Sequence, residues 1–300
     1  MSKKIGFIGL GIMGKPMVKN LLRAGCALSV YDIEKENVRE ICSMGAETGE
    51  ISQIGSRCDI IFTMLPNGSI VKEVIFGENG LAASIKKGTV IVDMSSVTPN
   101  ESKECAEGLS KLGAGFLDAP VSGGEPKAID GTLAFMAGGR EDVFELARPY
   151  FNIMGSSAVL VGDTGSGSAT KLANQIIVNL TIAAVSEAFV LASKIGADPE
   201  KVYQAIRGGL AGSTVLDAKA EKIFNRDFAP GGKISINLKD IKNVMSTAHA
   251  NDVPLPLTGM LLEIMQSLKV VGLMEEDHSA IVKFYEKLTN VEVKKIQQAE

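Results

Sequence analysis

The sequence predicts an α/β protein in which a doubly wound parallel-sheet domain is followed by an all-helical domain. Through the first half of the chain, short β-branched runs alternate with helical periodicity, the pattern of repeated βαβ units. Near-continuous apolar strands such as Ile60-Ile61-Phe62 belong in a sheet covered on both faces. After Gly162 the strand signal stops and only helical periodicity continues. A chain of 300 residues exceeds one small core, so two domains are expected, 1–163 and 164–300.

The strands are expected over 4–8, 27–31, 59–64, 89–93, 116–119, 132–137 and 158–161. Helical stretches fall between them at 13–24, 34–44, 69–76, 100–112 and 142–154. The run Gly162-Asp163-Thr164-Gly165-Ser166-Gly167-Ser168 marks the domain boundary. Residues 169–194 then read as one long helix, with others near 199–209, 213–224, 235–251, 255–272 and 278–288. Pro199 sits just inside a start signalled by Asp198. The longest apolar stretch, 176–192, is interrupted by Asn179, Thr181, Ser186 and Glu187, which fits a buried helix better than a membrane span.

Composition narrows the function classes. The chain is 45% hydrophobic and 22% charged, as in an ordinary globular protein. A net charge of -4 with scattered basic residues gives no stripe for a nucleic acid. Cys26, Cys42, Cys58 and Cys105 show no CxxC spacing and read as reduced thiols of a cytoplasmic protein. Two distant histidines, His249 and His278, give no metal cluster, so no metal is expected. No apolar leader precedes the first strand, so no signal peptide is read.

The first strand runs into Gly9-Leu10-Gly11-Ile12-Met13-Gly14, which is G-x-G-x-x-G between a strand and a helix. Gly9 permits the tight turn, Gly11 lets a pyrophosphate approach the backbone, and Gly14 lets helix and strand pack closely. The helix N-terminus beyond offers amide N–H groups and a positive dipole end to phosphates. The second strand ends in Asp32, where a carboxylate meets the adenosine ribose hydroxyls and repels a 2′-phosphate. No arginine follows within Ile33-Glu34-Lys35, so NAD is expected, with NADP less favoured. Asp32 as a simple helix cap is the alternative. Leu65-Pro66-Asn67 and Ser96 also follow apolar strands at the ligand-binding edge, where Asn67 and Ser96 are cofactor contacts or ordinary turn residues.

A second constellation lies away from this loop. In Asp118-Ala119-Pro120-Val121-Ser122-Gly123-Gly124 the two glycines can turn consecutive amides toward one point, and Ser122 adds a hydroxyl. A substrate carboxylate suits such a nest; a plain connector is the bland reading. Lys171 begins the long helix, with Asn174 and Gln175 on the same face. A lysine in an apolar cleft is suited to proton transfer, whereas a helical lysine is more often a solvated charge. Lys239-Asp240 by residue chemistry is an unremarkable surface pair.

These motifs together resemble the β-hydroxyacid dehydrogenase family, which includes 3-hydroxyisobutyrate dehydrogenases and is related to 6-phosphogluconate dehydrogenase. The resemblance covers essentially the whole chain. It rests on Gly6 to Met17, Asp118 to Gly124, Gly165-Ser166-Gly167 leading to Lys171, and Lys239-Asp240. The stretches Val121 to Thr132 and Ala205 to Lys219 are most similar to the tartronate semialdehyde reductase branch. The resemblance implies a Rossmann domain, Lys171 as catalytic residue, and substrate held by Ser122, Gly123, Gly124, Asn174 and Gln175. It places Lys239 beside the cofactor. Two departures stand out: many relatives carry Asn where this chain has Gln175, and Phe where it has Gly232.

The expected reaction is reduction of a small carboxylate-bearing aldehyde, tartronate semialdehyde to glycerate, by a cytoplasmic homo-oligomer (dimer or tetramer). A sibling substrate of the family is the alternative: 3-hydroxyisobutyrate, 2-(hydroxymethyl)glutarate or succinic semialdehyde. A decarboxylating phosphogluconate enzyme fits less well, because Asn174 stands where that pattern has histidine. A non-catalytic cofactor sensor is possible on this fold, but Lys171 argues against it. Neither histidine lies in a motif, so both should be nearly silent in hydride transfer.

Overall fold

The structure, a computed structural model, describes residues 3–296 and divides into two compact units, Met1–Leu172 and Ala173–Glu300. The first unit opens with β1 (Ile5–Ile8), α1 (Gly14–Arg23), β2 (Leu28–Tyr31), α2 (Lys35–Cys42), β3 (Glu47–Thr48), α3 (Ile51–Arg57), β4 (Ile60–Thr63) and α4 (Gly68–Phe76). It continues with β5 (Val90–Asp93), α5 (Pro99–Ser110), β6 (Gly115–Asp118), β7 (Val121–Ser122), α6 (Gly124–Asp130), β8 (Leu133–Gly139), α7 (Glu141–Met154) and β9 (Gly155–Gly162). The sheet order is β3-β2-β1-β4-β5-β6-β8-β7, with β9 beside β8. Strands β1 to β6 pair in parallel, β8 is antiparallel to β6 and β7, and β9 is parallel to β8.

Burial explains the run of apolar residues in the central strands. Phe7, Phe62 and Val92 pack on one face with Met17 and Leu21 of α1 and Phe151 of α7. Ile8, Ile61 and Ile91 pack on the other with Val71 and Ile75 of α4 and Leu109 of α5. Every residue of β1, β4 and β5 is buried, as a sheet covered on both faces requires.

The seven expected strands are present, and β3, β7, α3, α6 and a 3-10 turn (Leu81–Ala83) appear that the sequence did not signal. β3 and β7 have two residues each, too few to show a period. α3 is capped by a reciprocal Glu50/Gln53 pair, and glutamate is not a usual N-cap. α6 begins with Gly124 and contains Pro126, so its composition reads as a turn. The division of the units at Leu172 lies nine residues beyond the expected 163. The next helix, α8 (Ser166–Lys194), explains this, because its first turns are bonded to β6.

The second unit continues α8 and adds α9 (Pro199–Ile206), α10 (Thr214–Phe224), α11 (Ile234–His249), α12 (Pro256–Val270), a short 3-10 turn (His278–Ile281) and α13 (Val282–Thr289). Beyond β9 the described residues hold no strand, only an isolated Lys233–Asp277 bridge. α8 is long and apolar enough to cross a membrane by length and composition. Its residues nevertheless build the helical core: Ile182 packs with Ile241 and Met265, and Phe189 with Ile223 and Phe224. Two of its buried polar side chains bond within the helix, Asn179 Nδ2 donating to Gln175 O and Ser186 Oγ to Ile182 O.

Asp277 ties this unit together. It is fully buried and accepts from Lys219 Nζ at 2.9 and 3.1 Å and from the amides of Gly231, Gly232 and Ser279. Burial alone would raise its carboxyl, but Lys219, His278 and these donors hold it well below the carboxylate range. The neighbouring His278 is pushed down to about 4, first by burial and then by Lys219. A folded-state value below the ordinary 6.5 means the unfolded chain takes up a proton first as pH falls. The His278 contribution is therefore present above pH 6.5 and is lost progressively as pH falls through about 4, up to about 3 kcal/mol. In urea titrations, His278→Gln should flatten the loss of stability between neutral pH and pH 4.5; an unchanged slope would refute this origin.

Candidate active site

The glycine-rich loop has three differently constrained glycines. Gly9 has φ +101°, and a Cβ there would lie 2.3 Å from Met64 O. A Cβ on Gly14 would lie 1.9 Å from Gly9 O, so helix and loop can touch only through glycine. Around Gly11 nothing lies within 4 Å of a Cβ position, so its open side is the one a pyrophosphate could approach. Helix α1 starts with no side-chain cap and no acid in its first turn, which suits a phosphate. A groove of about 550 Å³ runs beside the loop past Gly11, Ile12, Lys15 and Lys19. Glu40 pairs with both lysines at 3.0 and 2.6 Å.

Asp32 is not the helix cap. Glu34 occupies that position, while Asp32 Oδ1 accepts from Glu34 N at 2.7 Å and Oδ2 from the Leu10 amide within the loop. The carboxylate thus joins the end of β2 to the phosphate-type loop. Asn67 does cap: its Oδ1 accepts from Ile70 N at 3.0 Å at the start of α4. Leu65, on the same stretch, donates its amide to Ser95 Oγ at 2.9 Å. Ser95 and Thr63 in turn donate to Asp93 Oδ1 at 2.5 and 2.7 Å. Buried Asp93, its carboxyl raised by burial, fixes the edge that carries Leu65 and Ser96. The sequence read Asp93 only as a strand end.

The strongest convergence is on segment 118–122. Lys171, only 9% exposed, donates from Nζ to Val121 O at 2.8 Å, beside Ser122. Burial excludes the solvated-charge reading. Ser122 and Gly124 are half-buried and Gly123 is exposed, so solvent reaches all three. Gly123 has φ 135° and Gly124 φ 67°, conformations that favour glycine. They do not form a plain turn, because Val121–Ser122 pairs with β8 and Gly124 starts α6.

Asp118 grips the beginning of α8. Its Oδ1 accepts from Gly165 N at 2.8 Å and its Oδ2 from Ser168 N at 2.7 Å. Burial pushes its carboxyl up to about 6 while those amides and the Ser168 hydroxyl pull against it. Ser168 also shares a 2.9 Å hydrogen bond with Ser102. A Cβ on Gly167 would lie 2.3 Å from both Asp118 O and Met136 O, so α8 enters against bare backbone.

Within the second unit, Gln175 Nε2 donates to Asp240 Oδ2 at 2.6 Å and its Oε1 accepts from Asn174 at 3.0 Å. Asp240, 3% exposed, also pairs with Lys239 at 2.9 Å. The pair read as surface charge is therefore half of a buried network. Asn237, which meets Gln175 at 3.4 Å, was not legible, since nothing but its spacing from Lys239 on α11 marks it. At Gly232 a Cβ would lie 3.5 Å from His278 Nε2, so the neighbour of this position is an imidazole edge.

Comparison with known proteins identifies the family. Residues 4–162 match the family described as the NAD binding domain of 6-phosphogluconate dehydrogenase. Residues 165–285 match the NAD-binding region of NADP-dependent 3-hydroxyisobutyrate dehydrogenase. The chain is 46% identical to 2-hydroxy-3-oxopropionate reductase of Escherichia coli, covering 96% of this chain and 98% of that protein. It is 41% identical to 2-(hydroxymethyl)glutarate dehydrogenase of Eubacterium barkeri, covering 97% and 98%. The crystal structure of Mycobacterium tuberculosis 3-hydroxyisobutyrate dehydrogenase with L-serine superposes with a TM-score of 0.87 at 29% identity, over 95% of this chain and 99% of that one. Matched along nearly its full length in both sequence and fold, the chain belongs to the β-hydroxyacid dehydrogenase family, as an NAD(P)-binding oxidoreductase of the 3-hydroxyisobutyrate dehydrogenase and 2-hydroxy-3-oxopropionate reductase type.

Proposed function

We propose that this enzyme reduces 2-hydroxy-3-oxopropionate (tartronate semialdehyde) to glycerate, using NADH and Lys171 as general acid. The observation that carries the reading is the buried Lys171 ammonium held at Val121 O, one residue from Ser122. The 46% identity to a 2-hydroxy-3-oxopropionate reductase supports the choice of substrate. The 41% identity to a 2-(hydroxymethyl)glutarate dehydrogenase supports, as second reading, a longer substrate with a second carboxylate. A nicotinamide cofactor held by the Gly9 to Gly14 loop and Asp32 would supply the hydride. Ser122 and the amides of Gly123 and Gly124 bind the substrate carboxylate and so orient the aldehyde carbon. Lys171 Nζ gives its proton to the developing alkoxide oxygen and, in the reverse direction, takes it back. Asn174 and Gln175 lie three and four residues further along α8 on the face of Lys171 and belong to the substrate's surroundings; Lys239 belongs to the cofactor's. A soluble, cytoplasmic homo-oligomer completes the reading, and exposed Ile177 and Leu191 on α8 offer apolar surface for assembly.

Three measurements test this. NADH should be preferred over NADPH, because the Asp32 carboxylate repels a 2′-phosphate; Asp32→Ala combined with Ile33→Arg, at an 80% exposed position, should narrow the gap in kcat/KM. A wild-type preference for NADPH would sink the assignment. Ser122→Ala should raise KM by the equivalent of about 1.5–3 kcal/mol with NADH affinity unchanged. If NADH affinity fell and KM stayed, Ser122 would belong to the cofactor. Lys171→Ala should bind NADH normally and lower single-turnover hydride transfer about 10²–10⁴-fold, with Lys171→Arg also inactive because guanidinium keeps its proton. Near-normal turnover of Lys171→Ala would disprove the mechanism.

A further inference from the structure

Lys171 can act only if α8 delivers its ammonium to one place, and a single short segment determines where that is. Segment 118–122 holds α8 at two points. At its start, the Asp118 carboxylate accepts from the amides of Gly165 and Ser168. At its end, Val121 O accepts from Lys171 Nζ. Ser168 and Lys171 are three residues apart and share a helix face, so the carboxylate acts one turn before the lysine. The attachment is buried and allows little slack. Asp118 is 1% exposed, Ser168 is fully buried, and Gly167 between the two amides sits against two backbone carbonyls.

We propose that Asp118 is a positioning residue for the reaction, fixing the depth and rotation of α8 so that Lys171 Nζ meets the substrate oxygen. This rests on the reading of Lys171 as general acid. Two carboxylate oxygens are needed for two amide donors, because an asparagine at 118 would turn its NH₂ against one N–H. Each oxygen accepts one amide N–H, as a carboxylate does and a protonated carboxyl or an amide cannot do at both atoms. An acid that only stabilised the fold would lower the melting temperature while leaving the turnover of folded enzyme unchanged. A positioning acid must change kcat itself, since displacement of a catalytic group by about 1 Å can lower the rate about 100-fold.

The test is Asp118→Asn, assayed for folding, NADH affinity, aldehyde KM and single-turnover hydride transfer, alone and combined with Lys171→Ala. The expected result is a kcat lowered about 10- to 100-fold, with KM and NADH affinity within about twofold of wild type. In the Lys171→Ala background the same substitution should cause no further loss, because its effect acts through the lysine. A folded Asp118→Asn enzyme with wild-type kcat beside an inactive Lys171→Ala overturns the positioning role alone. Loss of NADH affinity or a rise in KM parallel to the fall in kcat also overturns it. Near-normal turnover in Lys171→Ala overturns the lysine reading and this proposal with it. If Asp118→Asn does not fold, Ser168→Ala carries the test, since it removes the hydroxyl that supports the carboxylate and keeps both amides. It should lower kcat several-fold at unchanged KM, and unchanged kcat would refute the role.

Discussion

Carboxylates at the carboxyl ends of parallel strands hold this enzyme's ligand edge in shape. Asp32 follows β2 and bonds the Leu10 amide; Asp93 ends β5 and gathers Thr63 and Ser95; Asp118 ends β6 and bonds Gly165 and Ser168. Loops at such an edge must stay open to ligands, so burial of apolar side chains cannot fix them. Charge-assisted hydrogen bonds can, each contributing about 1.5–3 kcal/mol. Desolvation opposes this, and the raised carboxyls of Asp93 and Asp118 record that opposition. At Asp118 both oxygens are nevertheless satisfied by amides, whereas Asp93 Oδ2 is left buried without a hydrogen-bond partner.

The same logic accounts for where Lys171, the proposed general acid, sits. A side chain on a loop would depend on the loop's own order, whereas Lys171 stands on a 29-residue helix anchored in its first turn. Rigid elements hold reactive groups more narrowly than loops do. Downstream, α8 becomes a core element of the helical unit, where Ile182, Phe189 and Val190 are buried. One helix therefore carries the buried Lys171 near its start and packing residues through its later turns.

How much of this was legible depends on how local each signal was. The glycine-rich loop, Asp32 and the apolar strands are encoded by adjacent residues, and the structure gives them the expected shapes. Lys171 was legible through its motif, and its burial against Val121 O followed no spacing rule. Asp118 was visible as a motif residue, but its function is a contact across 47 residues, from β6 to Gly165, that no periodicity encodes. Asp93, Asn237 and Asp277 were missed for the same reason. His278 looked inert because it lies in no motif; its environment comes from Lys219, Asp277 and the loop at Gly232, which meet only in the folded helical unit. The short β7 and α6 were hidden by two-residue length and by glycine and proline.

The departure at Gln175 has a physical reading of its own. Gln175 presents its NH₂ to Asp240 Oδ2, which leaves its Oε1 to accept from Asn174. The chain of donors thus runs from Asn174 to Gln175 to the acceptor oxygen of Asp240. Asp240 in turn holds Lys239 at 2.9 Å, so the amide pair on α8 and the cation on α11 are coupled through one carboxylate. An asparagine at 175, one methylene shorter, would draw its amide back from α11 and release that coupling. Gln175 is therefore long enough to reach Asp240, the one buried acid that also pairs with Lys239.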